Sequence, residues 1–131
     1  MVIDTSALIC VVQMEPEAGA FIQQIESANF PALSAVTLVE ASIIMRARRG
    51  EDGLHYLDRF IQRANIEIHS VDREQADIAR RAYQRFGKGR HAAGLNFGDC
   101  FSYALTVHMG TELLCKGNDF AQTDLPLAMS K

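Results

Sequence analysis

Four acidic residues stand where the sequence could do metal chemistry: Asp4, Glu40, Asp99 and Asp119. Asp4 ends an apolar stretch that begins at residue 1, and Asp119 follows the apolar run at residues 113–115. Glu40 and Asp99 come early in segments whose apolar residues recur at helical spacing. Carboxylate oxygens are the ligands that Mg²⁺ and Mn²⁺ prefer. Gathered at one place, these acids would suit phosphoryl chemistry, in which a metal activates water and neutralises phosphate oxygens.

Each acid, taken alone, also has a purely structural explanation. Asp4 would cap the helix that follows it. Glu40 would complete a capping box with Thr37, and Asp99 lies three residues after Asn96, as a second box requires. The fourth acid would lie in a turn. For any single acid the structural explanation is the better one, so the metal hypothesis depends on their coming together.

A parallel sheet would bring the acids together, because all its strands end at the same edge. Asp4, Glu40 and Asp119 are then expected at one edge, and Asp99 joins them only if its helix begins nearby. Clustered carboxylates repel one another and lose water on burial. Lys116 is the only basic residue at these junctions. A divalent cation is therefore the expected counter-charge.

The spacing of apolar residues predicts short strands that alternate with helices. Strands are expected at about residues 1–3, 32–35, 65–71 and 111–115. Helices are expected at about residues 7–12, 15–28, 37–49, 51–64, 73–86 and 96–109, and the glycine-rich stretch 87–94 is expected to be a mobile surface loop. This alternation predicts one domain over residues 1–131: a three-layer α/β/α sandwich with a short, mainly parallel sheet.

A group of basic residues comes just before the predicted helix that carries Asp99. They run through a predicted helix into the glycine-rich loop: Arg80, Arg81, Arg85, Lys88 and Arg90. Such a run is usually a solvated helix face, but here it could also line a groove for a phosphate backbone. The aromatic residues nearest the acids, Phe97, Phe101 and Phe120, have the spacing of core residues rather than of a platform for stacking bases.

Other kinds of site are less well supported. The serines lack a G-x-S-x-G motif, and the four histidines lack zinc-ligand spacing. No G-x-G-x-x-G follows the first strand, which argues against a dinucleotide fold. Three cysteines without a C-x-x-C pair are typical of buried thiols in a reducing cytoplasm.

Charge and hydropathy leave the partner open. The net charge of −3 is unusual for a nucleic-acid binder, but two bound divalent cations would change it to +1. No apolar run approaches the roughly 20 residues that span a bilayer. The first strand begins at residue 1, so no leader is expected and the predicted location is cytoplasmic.

Four motifs in this order resemble those of PIN-domain proteins: Val2–Ala7, Glu40 after Thr37, Asn96–Asp99 and Lys116–Phe120. More closely, the chain resembles the VapC toxins of bacterial toxin–antitoxin pairs. The resemblance covers nearly the whole chain. It implies an α/β/α fold, a Mg²⁺- or Mn²⁺-dependent ribonuclease acting on RNA, a homodimer, and a small VapB-like antitoxin that blocks the acidic groove.

The resemblance also implies a role for each matching residue. Asp4 and Asp99 match the principal metal ligands, and Glu40 matches the third acid. The fourth position is filled either by Asp119 or by Asn118. Thr5 and Ser6 correspond to the small polar residues that offer hydroxyls to the site, and the basic segment from residue 80 to residue 90 would position the RNA strand.

Two other functions remain compatible with the sequence. One is a magnesium-binding signalling domain with receiver-like topology that cuts nothing. Receivers usually carry an early acidic pair, whereas here a single Asp4 is followed by Thr5. The other is a PIN-type nuclease that is not a toxin, including one directed at DNA.

Overall fold

Four short parallel strands form the central sheet in the computed structural model, which describes residues 1–129. They are β1 (Val2–Ile3), β2 (Ala32–Ser34), β3 (Glu67–His69) and β4 (Leu113–Leu114), in the order β3-β2-β1-β4. Val2 pairs with Ala32 on one side and with Leu113 on the other. Because all pairings are parallel, the carboxyl ends of the strands lie along one edge.

Helices connect and cover the strands. They are α1 (Thr5–Val12), α2 (Ala18–Ser27), α3 (Ala35–Arg63), α4 (Arg73–Phe86) and α5 (Phe97–Met109), followed by a 3₁₀ turn at Phe120–Gln122. Gly50 has φ 59° and ψ −146°, so α3 consists of two helical segments that meet at this residue. The predicted end of one helix at Gly50 is therefore confirmed.

Successive strand residues point to opposite faces of the sheet, which divides the core in two. Val2 and Leu113 pack with apolar residues of α4 and α5. Ile3 and Leu114 pack with apolar residues of α1, α2 and α3. All four side chains are fully buried. The predicted three-layer α/β/α sandwich is confirmed.

Two predicted helix starts are wrong. The second helix begins at Ala18 rather than at Glu15, so the proline between them lies in a preceding turn and not in the helix. The third helix begins at Ala35, with the hydroxyl of Ser34 accepting a hydrogen bond from the N–H of Val36 at 3.2 Å. Strand β2 passes straight into the helix at this point, so the cap falls on the last strand residue.

The displaced cap changes the role of Thr37, which was expected to form a capping box with Glu40. Thr37 lies inside α3, is 1% exposed, and has its hydroxyl 3.4 Å from that of Ser102 in α5. Glu40 is therefore free of any capping role and is available to the site.

Strand β3 is shorter than the predicted 65–71: it lies at the edge of the sheet and pairs only with β2, residue by residue over Ala32–Ser34. Glu67 and Ile68 are exposed there. The glycine-rich loop is closed at its base, where the N–H of Lys88 donates to the carbonyl of Leu95 and the N–H of Leu95 donates to that of Phe86, each at 2.9 Å.

The strand order separates this fold from a receiver-like one. Receiver-type sheets have the order 2-1-3-4-5, whereas this sheet places β1 between β2 and β4. Cys10, Cys100 and Cys115 are all free thiols. Among residues 1–129, no helix combines the length and apolar character needed to cross a bilayer.

Candidate metal centre

Asp4 lies at the carboxyl end of β1 and is 3% exposed. Its N–H donates to the carbonyl of Leu114 in β4 at 2.9 Å. Oδ2 accepts hydrogen bonds from the N–H of Ser6 (3.0 Å) and from its hydroxyl (2.7 Å). The other oxygen, Oδ1, is buried and receives no hydrogen bond. Asp4 therefore caps α1 with one oxygen and leaves a second, buried oxygen that requires a positive partner.

Ser6 links two of the strand ends at this edge. Its hydroxyl donates to Asp4 and accepts a hydrogen bond from the backbone N–H of Lys116, at 2.9 Å. Lys116 begins the turn after β4, which leads to Asp119. The hydroxyl of Ser6 therefore connects this turn with Asp4.

Glu40 lies in the second turn of α3 and is partly buried. Its Oε1 accepts a hydrogen bond from the hydroxyl of Thr5 at 2.5 Å. A β-carbon added to Gly98, in the first turn of α5, would lie 2.3 Å from Glu40 Oε2. The carboxylate of Glu40 is thus seated between the first turns of α1 and α5, and only a glycine at position 98 leaves room for it.

Asp99 lies one residue further along α5 and forms the expected capping box. Its Oδ2 accepts from the N–H of Asn96 at 3.0 Å, and its own N–H donates to Asn96 Oδ1 at 2.9 Å. Burial, as the largest cause, and the charges of three neighbouring acids together raise the pKa of Asp99 to about 7: Asp4, Glu40 and Asp119. The hydrogen bond from Asn96 acts in the opposite direction. Helix α5 therefore begins at the acidic edge.

Asp119 lies at the rim of the group. It is exposed and directly precedes the 3₁₀ turn, and the neighbouring Asn118 is exposed as well. Burial, as the largest cause, and the charges of Asp4, Asp119 and Asp99 together raise the pKa of Cys115 to about 12. Asp119 therefore faces the same region as the more buried acids, from a position open to solvent.

The only basic residue expected at these junctions, Lys116, is turned away from the acids. Its ammonium forms ion pairs with Glu15 and, at 3.3 Å, with Glu17. Within residues 1–129, no lysine or arginine forms an ion pair with any of the four acids. The negative charge of the group is therefore not balanced by the protein itself.

The donor set fits a divalent cation. It consists of carboxylate and hydroxyl oxygens, which suit Mg²⁺ or Mn²⁺ better than zinc. The buried Asp4 Oδ1 has no hydrogen-bond donor, so it could serve as a ligand of such a cation. In the described part of the chain no three of the four acids hold their oxygens within 4.8 Å of one another. Repulsion between like charges favours this open arrangement.

The basic residues before α5 are divided between two faces of α4. Arg80 and Lys88 line a groove of about 730 Å³ that also includes Asn96 and Phe97 at the start of α5. Arg81 and Arg85 line a smaller groove, of about 280 Å³, on the other side. Arg85 there forms an ion pair with Asp124 at 3.3 Å, and Arg90 is exposed in the loop. Arg80 and Lys88 are thus the two that lie beside the start of α5, where Asp99 is, whereas Arg81 and Arg85 lie beside Tyr103 and Val107 further along that helix.

Phe97 is the residue that the sequence placed wrongly. Its spacing suggested a core position, which Phe120 does occupy, but Phe97 is 73% exposed. It lies between the basic groove and a second, apolar groove lined in part by Val39, Glu40 and Ile43. Val39 and Ile43 are also exposed. The spacing of apolar residues in α3 does not show that no other element covers Val39 and Ile43 in its first half.

Comparisons with known proteins agree with one another. A family model described as "PIN domain" matches residues 1–125. Ribonuclease VapC30 of Mycobacterium tuberculosis is 46% identical over 125 residues, which is 95% of each chain. Ribonuclease VapC of Mycolicibacterium smegmatis is also 46% identical, over 95% of this chain and 97% of the relative. Ribonuclease VapC28 of M. tuberculosis is 39% identical over 100% of this chain and 99% of its own.

Solved structures of similar fold include M. tuberculosis VapC20, described as a sarcin-ricin loop cleaving toxin, with a TM-score of 0.75 and 16% identity over 95% of each chain. VapBC2 from Rickettsia felis, bound to a DNA fragment from its promoter, has a TM-score of 0.72 and 15% identity, over 96% of this chain and 95% of the other. A toxin–antitoxin complex from Klebsiella pneumoniae has a TM-score of 0.69 and 19% identity, over 94% and 92%. At these identities the likeness is one of fold.

Proposed function

This chain belongs to the PIN-domain family and within it to the VapC ribonucleases, and on that premise we propose that it is the toxin of a VapBC-type toxin–antitoxin pair. Its activity is metal-dependent endonucleolytic hydrolysis of RNA phosphodiesters. The observation that carries the proposal is the buried, unpartnered oxygen of Asp4 beside three further acids. An unbalanced acidic group at a sheet edge is costly, and a bound divalent cation removes that cost.

The proposed roles follow the contacts of each side chain. Asp4 would hold the ion through Oδ1, and Asp99 through the oxygen that its capping box leaves available. Glu40, oriented by Thr5, would support the ion from the side of α3. Asp119 or Asn118 would provide the remaining ligand, from the exposed side of the site. Bound Mg²⁺ or Mn²⁺ supplies activation of water and neutralisation of phosphate charge at this place.

Small polar residues prepare this arrangement. The hydroxyl of Ser6 fixes the Oδ2 atom of Asp4, so Oδ1 is the oxygen presented to the ion. The hydroxyl of Thr5 does the same for Glu40. Because both carboxylates are held before substrate arrives, little reorganisation is needed when the ion and the phosphate bind.

The RNA strand is proposed to approach along the groove beside α5. Arg80 and Lys88 supply positive charge there, and Phe97 and Tyr83 supply exposed aromatic faces on which a base can stack. Arg90, in the exposed loop, would contact the backbone further out. Arg81 and Arg85 lie on the other face of α4 and would act only on a strand that wraps around the helix.

The antitoxin is proposed to cover the apolar groove on the other side of Phe97. Exposed Val39 and Ile43 lie there next to Glu40, so a peptide that buried them would also close access to the acids. The relative from K. pneumoniae is a toxin–antitoxin complex of the same fold. The toxin is further proposed to act as a homodimer in the cytoplasm.

The decisive experiment compares Asp99→Asn with a matched control, Asp58→Asn, in which the acid is exposed on α3 beyond Gly50. Asp99→Asn should abolish cleavage of RNA and inhibition of growth while the protein stays folded, and Asp58→Asn should change neither. Single-stranded DNA of the same sequence serves as the second substrate. Normal cleavage by Asp99→Asn would refute the catalytic assignment, and cleavage of DNA alone would refute the ribonuclease.

A separate measurement tests the metal centre without activity. Magnesium at about 100 times its dissociation constant should stabilise the fold by roughly 2.7 kcal/mol. The Asp4→Asn/Asp99→Asn double variant should show no such stabilisation. An equal shift in both proteins would place the bound magnesium elsewhere.

A further inference from the structure

We propose that Glu15 and Glu17 are positioning residues for the metal centre, because they hold the ammonium of Lys116 away from the site acids, where it would compete with the divalent ion. The three residues are called the lysine clamp below. This inference rests on the proposed function, since it concerns the ion that Asp4 and its neighbours would hold.

The main chain of Lys116 lies close to Asp4. Its N–H donates to the hydroxyl of Ser6 at 2.9 Å, and that hydroxyl donates to Asp4 Oδ2 at 2.7 Å. The side chain leaves in another direction, and its ammonium is bound by Glu15 and by Glu17. Only the direction of a flexible four-carbon chain therefore separates this ammonium from the acids.

An ammonium released from the clamp would find a strong binding place. Asp4 Oδ1 is buried without a donor, and the four acids have no other ion-pair partner among residues 1–129. A lysine ammonium is a compact charge with three donors, so it can satisfy a carboxylate oxygen as a cation does. Lys116 would then act as an internal competitor for the divalent ion.

The clamp acids come from the connection between α1 and α2, which carries none of the four site acids. Their oxygens lie within 4.8 Å of each other and of the Cys10 sulfur. The ammonium of Lys116 already pairs with both acids, so we interpret this group as the clamp and not as a second metal site. Glu15 and Lys116 have side-chain exposures of 29% and 38%, so water screens their pair only in part.

The test is a cycle of four proteins: the wild type, Glu15→Gln/Glu17→Gln, Lys116→Met, and the triple variant. Methionine keeps the apolar length of the lysine stem and the backbone N–H that binds Ser6. The dissociation constant of Mg²⁺ is measured from the metal-induced rise in Tm, at 0.15 M salt. The control is Glu51→Gln, which removes an exposed ion pair with Arg46 outside the site.

We expect the Glu15→Gln/Glu17→Gln variant to bind Mg²⁺ about fivefold more weakly, by analogy with the strength of ordinary ion pairs. Lys116→Met should restore the affinity in that variant and change little in the wild type, because the clamped ammonium does not reach the site. RNA cleavage should follow the same pattern at low Mg²⁺ and become equal in all four proteins at saturating Mg²⁺.

Two results would overturn the clamp. One is an unchanged Mg²⁺ affinity in Glu15→Gln/Glu17→Gln. The other is a weakening that Lys116→Met does not restore, which would reveal a distortion of the loop. If the double variant does not fold, the single variant Glu15→Gln is compared with the wild type in the same way. Its loss of Mg²⁺ affinity should be smaller, because Glu17 still binds the ammonium.

The outcome for the wild type separates this proposal from the proposed function. A wild type whose Tm does not respond to Mg²⁺ would refute the metal centre and the clamp together. A wild type that responds to Mg²⁺, together with a Glu15→Gln/Glu17→Gln variant that binds Mg²⁺ as tightly as Glu51→Gln does, would refute the clamp alone.

Discussion

Replacing Asp99 with asparagine should stabilise the metal-free protein, by an amount that grows as the pH rises from about 4 to about 7. Burial and three neighbouring acids raise the pKa of Asp99 from an ordinary 3.8 to about 7. Between those two values the folded state holds a proton that the unfolded state has released. Because the folded state binds more protons, the free energy of unfolding must fall as the pH rises from about 4 to about 7.

The size of the effect follows from the same pKa. A rise from 3.8 to about 7 corresponds to at most about 4 kcal/mol. Asp99 is partly exposed, so solvent screening reduces this to about 1–2 kcal/mol. For a domain of this length that is a Tm difference of about 5 °C. Asparagine keeps an oxygen that can accept from the N–H of Asn96, so the capping box is retained.

The assay is thermal or urea unfolding in EDTA at pH 5 and at pH 8, for the wild type, Asp99→Asn and the control Asp58→Asn. Asp99→Asn should exceed the wild type by a small margin at pH 5 and by the full margin at pH 8, and added Mg²⁺ should reverse the order at pH 8. A difference between Asp99→Asn and the wild type that is the same at both pH values would refute the reasoning, since it would mean that burial and the neighbouring acids do not raise the pKa of Asp99.

Three further substitutions test single contacts. Gly98→Ala should lower RNA cleavage by roughly tenfold to a hundredfold, because the added methyl group displaces the carboxylate of Glu40. The free energy of unfolding should change by less than about 1 kcal/mol, because alanine favours the helix. Unaltered cleavage would show that Glu40 need not lie beside α5. Ser6→Ala should cost about 1–2 kcal/mol in urea unfolding and weaken Mg²⁺ binding, because the N–H of Lys116 loses its acceptor. Ser34→Ala should cost about 1 kcal/mol through loss of the α3 cap, measured the same way, and a cost near zero would move the cap elsewhere.

Local patterns in the sequence were sufficient for much of the fold. The alternation of apolar runs with helical spacing predicted the layers. The predicted range 73–86 and the capping residue Asn96 marked where α4 and α5 begin. Gly50 marked the break in α3. These features depend on hydrogen bonds and burial within a few residues, which is the range over which a single sequence can be read.

The cap of α3 shows where local reading fails. Thr37 and Glu40 have the spacing of a capping box, but the strand before them ends directly in the helix, so Ser34 takes the cap. The same spacing correctly predicted the capping box of Asn96 and Asp99. Strand pairing decides between the two cases, because it sets where the chain leaves the sheet.

By itself, the sequence determined which acids the protein has, the alternating elements that carry them and the family to which their spacing belongs. Only the tertiary structure decided that Asp99 joins the other acids, that Phe97 is exposed, and that Lys116 turns away from the site. The physical reason is distance along the chain. Lys116 meets its partners 101 and 110 positions earlier, at Glu15 and Ser6, and such contacts are set by how the layers pack rather than by any local pattern.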